Sequence, residues 1–177
     1  IALVHGSLQT GSISSSYTAS QGLLLMIPSM YKIAGEMLPC VINVAARTVS
    51  THALSILGDH SDIYAARTTG FCMMSSSNVQ DTIYMTLTSY LSAIEGRLPF
   101  LNFFDGFRTS HELNKINVLD QEDIIDLVPF DKIEEFRKNS MLAKKVIKGT
   151  TQNDDVYFQN LEARNRYYDE MPDIVNG

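Results

Sequence analysis

The stretch "CVINVAAR", residues 40–47, decides the predicted fold. Cys40 to Ala46 form an almost entirely apolar run with several β-branched residues, and Arg47 follows it directly. A strand that is buried on one face alternates apolar and polar side chains, whereas a continuous apolar run is typical of a strand that helices cover on both faces. We therefore predict a central strand of a parallel sheet, with a guanidinium at its carboxyl end.

Three other segments predict strands that would join this sheet. They share a short length and a high content of apolar or β-prone residues: 12–20, 71–76 and 98–104. The last two are apolar enough to predict burial on both faces. Helical patterns separate these segments, and strands that alternate with helices form right-handed crossovers in a mostly parallel sheet. The predicted fold class is α/β, a mostly parallel sheet flanked by helices.

The two long helices of this pattern carry recognisable end signals. Ser20 is in position to cap a helix that runs from Gln21 to about Glu36. Ser77 and Gln80 have the spacing of a capping box for a second helix, which Gly96 would end. Both helices would lie between predicted strands, as an α/β fold requires.

The distribution of charge predicts the domain organisation. Charged residues are sparse before residue 113 and dense after it. We predict an α/β domain over residues 1–140 and an extension over residues 141–177 that packs on the surface toward a next domain. The chain opens at Ile1 rather than at a methionine, so we expect a fragment or a processed piece of a longer protein.

Composition also limits the classes of partner. The net charge of −6 and the sequence pI of 5.1 predict binding neither to nucleic acid nor to an anionic membrane. The longest apolar stretch, Leu23 to Pro28, is far shorter than the ~20 residues that span a bilayer. Cys40 and Cys72 are isolated and lack CxxC spacing, which favours buried thiols in a reducing compartment over zinc or iron–sulfur ligands.

A candidate binding site follows from the ends of the predicted strands. Ligands of open α/β sheets bind beyond the carboxyl ends of the strands, and Arg47, Asp105 and Arg108 all follow such ends. A guanidinium there suits a carboxylate or phosphate. An internal pair between Arg108 and Asp105 is the alternative, whereas Arg47 has no acidic residue within ten positions. His111 is expected to be a hydrogen-bonded structural histidine.

Two further motifs are weaker candidates. "GDHSD", residues 58–62, has residue types that bind metals, but acidic residues are also favoured at a helix N-terminus, and we expect no metal site. "YTASQG", residues 17–22, could direct backbone N–H groups toward an anion, but a plain helix cap is the favoured interpretation.

Several long strings resemble one enzyme family. They are "YTASQGLLLMIPSMYKIAGEMLPCVINVAAR" at residues 17–47, "HALSILGDHSDIYAARTTGF" at 52–71, "PFLNFFDGFRTSHE" at 99–112 and "GTTQNDDVYFQ" at 149–159. They are similar to the first, thiamine-pyrimidine-binding domain of pyruvate:ferredoxin (flavodoxin) oxidoreductases. The resemblance implies CoA-dependent oxidative decarboxylation of pyruvate to acetyl-CoA and CO2. It further implies thiamine diphosphate, and 4Fe-4S clusters and CoA bound elsewhere in the full-length enzyme.

The resemblance also assigns residues. Arg47 matches the family arginine that holds the pyruvate carboxylate, and Thr18, Asp105, Arg108 and His111 become candidate crevice residues without an assigned catalytic step. No catalytic residue is expected within the chain, because the activating glutamate of the family lies upstream of the segment that matches Ile1. The first strand and helix of the domain are expected upstream as well, and this chain alone is expected to be inactive.

The implied partners are pyruvate, ferredoxin or flavodoxin, other domains of the same chain and a second copy in a homodimer. The expected location is the cytoplasm, or the hydrogenosome in an anaerobic protist. Two alternatives stay open at this point. One is the front end of a pyruvate:NADP oxidoreductase, and the other is a non-catalytic α/β interaction domain, which the sparse charge of residues 1–112 would also suit.

Overall fold

Four parallel strands with helices on both faces form the centre of the molecule. The structure is a computed structural model that describes residues 1–145 and 151–177. The strands are β1 (Ser14–Thr18), β2 (Cys40–Ala46), β3 (Cys72–Ser76) and β4 (Phe100–Asp105), in the order β1-β2-β4-β3. Every pairing is parallel. This arrangement confirms the predicted α/β class and the central place of β2.

Ten helices are described: α1 (Ala2–Gln9), α2 (Gln21–Gly35), α3 (Ser61–Ala66), α4 (Val79–Gly96), α5 (Arg108–His111), α6 (Gln121–Leu127), α7 (Phe130–Lys138), α8 (Met141–Lys144), α9 (Asp154–Glu162) and α10 (Asn165–Asn176). The first three pack on one face of the sheet, whereas α4 and α10 pack on the other. No helix within these described ranges combines the length and apolar character needed to cross a bilayer.

Burial on two faces explains the apolar character of β2. Ile42 and Val44 lie in the core beneath α2 and α3, while Val41 lies in the core beneath α4, and all three side chains are almost fully buried. The two cysteines also lie on opposite faces, Cys40 with the first core and Cys72 beside the second. Burial raises the pKa of Cys40 to about 12 and that of Cys72 to about 11, so both thiols stay protonated at neutral pH.

A row of polar side chains crosses the face beneath α4. Asn43 of β2 and Asn102 of β4 are paired in register, and the Asn102 amide donates to Asn43 Oδ1 at 2.9 Å and to Thr86 Oγ1 at 2.9 Å. The Asn43 amide donates to the Tyr90 hydroxyl at 3.3 Å. Asn102 Oδ1 is buried without a partner among the described residues. These amides interrupt an otherwise apolar core.

The structure corrects the predicted helix ends. Ser20 precedes α2, but its side chain makes no capping bond. The cap of α4 is Asn78, whose side chain accepts from the Asp81 N–H, one residue later than the predicted capping box. The left-handed residue that ends α4 is Arg97 rather than Gly96. The Ser20 hydroxyl bonds the Thr48 carbonyl instead, and Asn78 provides the capping bond that Ser77 was expected to make.

Strand β3 also differs from the prediction of burial on both faces. It lies at the edge of the sheet, and Met73 and Ser75 are exposed. Its other face packs toward α4, because Met74 is in register with Asn102 of β4. The apolar pattern of a strand in the sequence does not reveal the position of that strand in the sheet.

The C-terminal segment packs in part on the sheet domain. Met171 of α10 is buried in the core beneath α4, and the Tyr168 hydroxyl donates to the Gly70 carbonyl at 2.7 Å. The aromatic side chains of α9, Tyr157 and Phe158, are exposed. Residues 146–150, part of the predicted extension, lie outside the described residues. The division at residue 140 stays a prediction.

Candidate functional site

Arg47 lies at the carboxyl edge of the sheet, directly after β2. Its side chain is half-buried, and its Nε donates to the Gly106 carbonyl at 2.8 Å. Gly106 follows β4, whose Asp105 is in register with Ala46, and the Gly106 N–H donates to the Ala46 carbonyl at 2.9 Å. The backbone of the β4 loop therefore both receives a bond from the guanidinium and gives one to β2, which fixes the orientation of the Arg47 side chain.

The terminal nitrogens of Arg47 remain available to a ligand. Across residues 1–145 and 151–177, no carboxylate lies within salt-bridge distance of this guanidinium, and only its Nε makes a side-chain hydrogen bond. An arginine fork binds carboxylates and phosphates through two parallel N–H···O bonds. Arg47 thus presents the fork that such an anion requires.

Two glycines allow the backbone to approach closely around Arg47. A Cβ on Gly106 would lie 2.5 Å from Arg47 Cγ and 2.8 Å from the Ala45 carbonyl oxygen. Gly58 forms an isolated bridge with Arg47, and a Cβ on Gly58 would overlap the Asp105 carboxylate. Any larger residue at either position would displace a group of this edge.

Asp105 shares the edge with Arg47 but does not pair with it. Its Oδ1 accepts the Phe107 N–H at 3.0 Å and also the Arg108 N–H. Burial alone would raise the pKa of Asp105, but these backbone bonds, with the nearby charges of Arg108 and His60, outweigh burial and lower the pKa. The carboxylate therefore shapes the loop after β4.

Thr18 ends β1 and covers the beginning of α2. Its side chain is half-buried, and a Cβ on Gly22 would lie 2.5 Å from Thr18 Oγ1. The structure thus brings Thr18, Arg47 and Asp105 to the same edge of the sheet, as the strand ends predicted for Arg47 and Asp105.

Arg108 and His111 belong to the exposed helix α5. The His111 ring lies 6.2 Å from the Phe107 ring, and its Nδ1 lies 2.7 Å from the Ser110 hydroxyl. Neither side chain makes a hydrogen bond to Arg47, Asp105 or Thr18. The predicted alternative, an ion pair between Arg108 and Asp105, is wrong, because Asp105 accepts the backbone N–H of Arg108 instead.

The GDHSD segment has a role at this edge that the sequence did not predict. Asp59 is exposed and accepts the Ser61 N–H at 2.5 Å, whereas Asp62 is completely buried. Asp62 Oδ2 accepts the N–H of Ser20 at 2.8 Å and the N–H of Arg47 at 3.1 Å. In the part of the chain that the structure describes, no group of three or more His, Cys, Asp or Glu side chains could hold a metal ion. An acid near a helix N-terminus was the only signal of Asp62 in the sequence.

Comparisons with known proteins match one family along the whole chain. The family model described as "Pyruvate flavodoxin/ferredoxin oxidoreductase, thiamine diP-bdg" matches residues 1–177. The chain is 56% identical over 173 residues to the pyruvate:ferredoxin oxidoreductase of Moorella thermoacetica and 53% identical to the pyruvate-flavodoxin oxidoreductase of Klebsiella pneumoniae, covering 97% of this chain and 15% of each relative. It is 51% identical to the pyruvate dehydrogenase [NADP(+)] of Cryptosporidium parvum, covering 97% of this chain and 9% of that protein. The chain therefore spans about a seventh or less of these relatives.

Proposed function

Since the chain belongs to the pyruvate flavodoxin/ferredoxin oxidoreductase family, in its thiamine diphosphate-binding part, we propose that it provides the pyruvate-binding edge of such an enzyme. The complete enzyme would oxidatively decarboxylate pyruvate with CoA to acetyl-CoA and CO2 and would pass the electrons to ferredoxin or flavodoxin. The single observation that carries the proposal is the Arg47 fork, fixed through Nε and without an acidic partner among the described residues.

Arg47 would bind and orient pyruvate through its carboxylate. Two parallel N–H···O bonds fix both the position and the rotation of a planar acid, which a single contact does not. Binding energy from the carboxylate, which does not react with the cofactor, can then hold the adjacent carbonyl in place. Thr18 and Asp105 would line the same crevice. Arg108 and His111 would contribute to substrate binding only through the shape of the loop or through contacts with other domains.

The residues of this edge fit the organic part of thiamine diphosphate. The loop after β2 exposes Leu54, Ile56 and Leu57, which offer apolar surface to a flat ring. A diphosphate needs a cation or several cationic donors, and the described residues hold no metal-binding group, so the diphosphate would be held elsewhere. When bound, the cofactor supplies the carbanion nucleophile. This chain would orient the acid and restrict water at the sheet edge.

The described residues do not fit an iron–sulfur cluster. Cys40 and Cys72 lie on opposite faces of the sheet, and burial keeps both as thiols. The 4Fe-4S clusters and the CoA site of the proposed enzyme would therefore belong to other parts of the same protein. The activating glutamate would likewise lie outside residues 1–177, as the resemblance implies.

The electron acceptor defines the second candidate function. The identity to the Cryptosporidium parvum protein, whose name states NADP, favours a pyruvate:NADP oxidoreductase as that candidate. A non-catalytic interaction domain is the third, and the fixed, unpaired Arg47 favours the enzyme over it. We further propose a homodimer that works in the cytoplasm, or in the hydrogenosome of an anaerobic protist.

Arg47→Ala in the complete enzyme tests the proposal. We expect kcat/KM for pyruvate to fall about 30-fold to 1,000-fold, equal to roughly 2 to 4 kcal/mol, because a charge-assisted contact to substrate is lost. Arg67→Ala is the control, since Arg67 is exposed at the C-terminal end of α3 and donates to the Tyr64 carbonyl. Equal kcat/KM in Arg47→Ala and wild type would remove Arg47 from the substrate site. Reduction of ferredoxin, flavodoxin or NADP by the same enzyme would distinguish the acceptors.

A further inference from the structure

Asp62 is a buried acidic side chain that the proposed reaction does not use. It is completely inaccessible, yet no cation neutralises it within the described part of the chain. Its two oxygens accept three backbone N–H groups. Oδ2 takes those of Ser20 and Arg47, and Oδ1 takes that of Ile63 at 2.8 Å. A buried carboxylate is expensive unless such bonds are made, so its position calls for an explanation.

The place of Asp62 in the sheet explains the bond to Arg47. β1 and β2 are paired in register only as far as Thr18 and Val44, so the Arg47 N–H lies beyond the end of the ladder. On its other side β2 continues to pair with β4 as far as Ala46 and Asp105. Asp62 Oδ2 therefore takes the place that a carbonyl of a longer β1 would occupy. It extends the ladder by one bond at the residue that carries the guanidinium.

The same oxygen holds a strained residue. Ser20 has φ 49° and ψ −124°, a backbone conformation that glycine adopts readily and other residues rarely do. Such strain persists only where surrounding bonds enforce it, and it is concentrated at functional sites. The Ser20 N–H donates to Asp62, and its hydroxyl donates to the Thr48 carbonyl at 2.7 Å. The loop that follows Thr18 is thereby tied to the segment that carries Arg47.

We propose that Asp62 is a positioning residue, which joins the β1–α2 loop to the end of β2 and so sets the place from which Arg47 binds its substrate carboxylate. This inference rests on the proposed function of Arg47 and adds a residue to it. The side chain of Arg47 is held through Nε by the β4 loop, and its backbone is held by Asp62 on the opposite side. Loss of either bond would let the fork move, and displacements of about 1 Å are sufficient to impair an oriented reaction.

Hydrogen exchange of the complete unmodified enzyme gives the first test. The N–H groups of Ser20 and Arg47 should exchange slowly, although both lie outside the strand ladder, because Asp62 accepts them. Rapid exchange of either N–H would overturn the inference without any substitution. In Asp62→Asn the single amide oxygen cannot accept all three N–H groups, so exchange in residues 14–22 and 44–50 should accelerate. Ile33→Val, in the core at α2, should leave these two segments unchanged.

Kinetics of the complete enzyme give the second test. We expect Asp62→Asn to lower kcat/KM for pyruvate about tenfold, mainly through KM, with the KM for CoA within about twofold of wild type. Asp62→Ala should lower it further. In an Arg47→Ala background, Asp62→Asn should change kcat/KM by less than about twofold, because its effect acts through the missing side chain. Arg47→Ala keeps the backbone N–H that Asp62 binds, so the cycle removes only the guanidinium.

The outcomes separate the two ideas. If Asp62→Asn has the same effect with and without the Arg47 side chain, Asp62 is a structural residue and the inference fails, while the proposed function stands. If Arg47→Ala itself leaves pyruvate use unchanged, the proposed function fails, and the catalytic consequence drawn for Asp62 fails with it. A strongly reduced effect of Asp62→Asn in the Arg47→Ala background supports both.

Discussion

The two edges of the sheet differ in how their charged side chains are paired. At the amino edge, where α2 ends, Glu36 accepts bonds from three side chains, Lys32 at 2.8 Å, Gln9 at 2.8 Å and His5 at 2.7 Å. At the carboxyl edge, Arg47 is held by a backbone carbonyl and has no acidic partner within the described ranges.

This difference distinguishes charged side chains that stabilise the fold from a charged side chain that is available to bind a ligand. A side chain that pairs with other side chains has its charge compensated inside the protein. Backbone groups can fix a charged side chain in place without compensating its full charge, so the charge remains for a ligand. Mutations that remove or displace Arg47 at the carboxyl edge should therefore impair substrate use, whereas mutations at the amino edge should change stability alone.

Gly106→Ala should have the largest effect. The new Cβ would meet backbone oxygen and Arg47 Cγ, neither of which can move freely. We expect the free energy of unfolding to fall by about 3 kcal/mol, as for overpacking, and pyruvate kcat/KM to fall as Arg47 shifts. Chemical denaturation and steady-state kinetics would measure both.

Gly35→Ala at the amino edge is the matched control for Gly106→Ala. Gly35 is exposed at the end of α2, and its new Cβ would lie 3.5 Å from the Arg164 guanidinium, an ordinary contact. Alanine should stabilise the helix by about 0.5 to 1 kcal/mol without changing kinetics. Equal changes in stability and kinetics from the two substitutions would show that the two edges are packed equally closely around these glycines.

Arg47→Lys should have the next largest effect. Lysine keeps the positive charge but lacks both Nε, which binds Gly106, and the planar fork. We expect kcat/KM for pyruvate to fall about tenfold to thirtyfold, with the free energy of unfolding changed by less than about 1 kcal/mol. Wild-type kinetics in Arg47→Lys would mean that a positive charge is sufficient to bind the substrate and that the planar shape of the guanidinium is not needed.

Glu36→Gln should affect stability and leave kinetics unchanged. Burial alone would raise the pKa of Glu36, but the bonds from Lys32, His5 and Gln9 outweigh it and hold the pKa below its ordinary value. We expect a loss of about 1 kcal/mol at neutral pH, a figure reduced for solvent screening of this partly exposed cluster.

The pH dependence of Glu36→Gln follows from the direction of that shift. A lowered folded pKa means that the stabilisation is present in full above the ordinary glutamate pKa. It is lost as pH falls through the lower folded pKa. The difference in Tm between wild type and Glu36→Gln should therefore be present at neutral pH and should shrink as pH falls below the ordinary glutamate pKa. A difference that persists undiminished in strong acid would contradict the assigned hydrogen bonds.

The sequence predicted the fold well where burial of an element imposes a recognisable pattern of apolar residues. The apolar run of β2 and the helical spacing of α4 predicted their elements, because two-sided and one-sided burial each impose a distinct pattern. Strand order and the edge position of β3 were not predictable, because an apolar strand can have the same sequence pattern at the centre of a sheet and at its edge. The buried amides of Asn43 and Asn102 were missed for a related reason, since their partners are distant in sequence.

The candidate site was predicted only in part. The argument from strand ends predicted that Arg47 and Asp105 lie at one edge, as parallel topology requires, whereas Thr18 was a candidate only through the family resemblance. Asp62 and Ser20 were missed because their roles depend on bonds across 42 residues, which no local spacing encodes. The resemblance to a family assigned the same arginine, but it did not indicate what holds that arginine in place.

Asp105→Asn should have the smallest effect and bears most directly on the difference between the edges. Because Asp105 accepts the Phe107 and Arg108 N–H groups, an asparagine oxygen can replace it as a turn acceptor. We expect the free energy of unfolding to fall by less than about 0.5 kcal/mol, since the asparagine oxygen can keep both backbone N–H bonds of the loop. That small contribution should disappear as pH falls through the lowered pKa. Asp105→Ala, which removes the acceptor, should cost about 1 kcal/mol. A loss above about 2 kcal/mol in Asp105→Asn would mean that this carboxylate neutralises Arg47, and the carboxyl edge would then be self-paired like the amino edge.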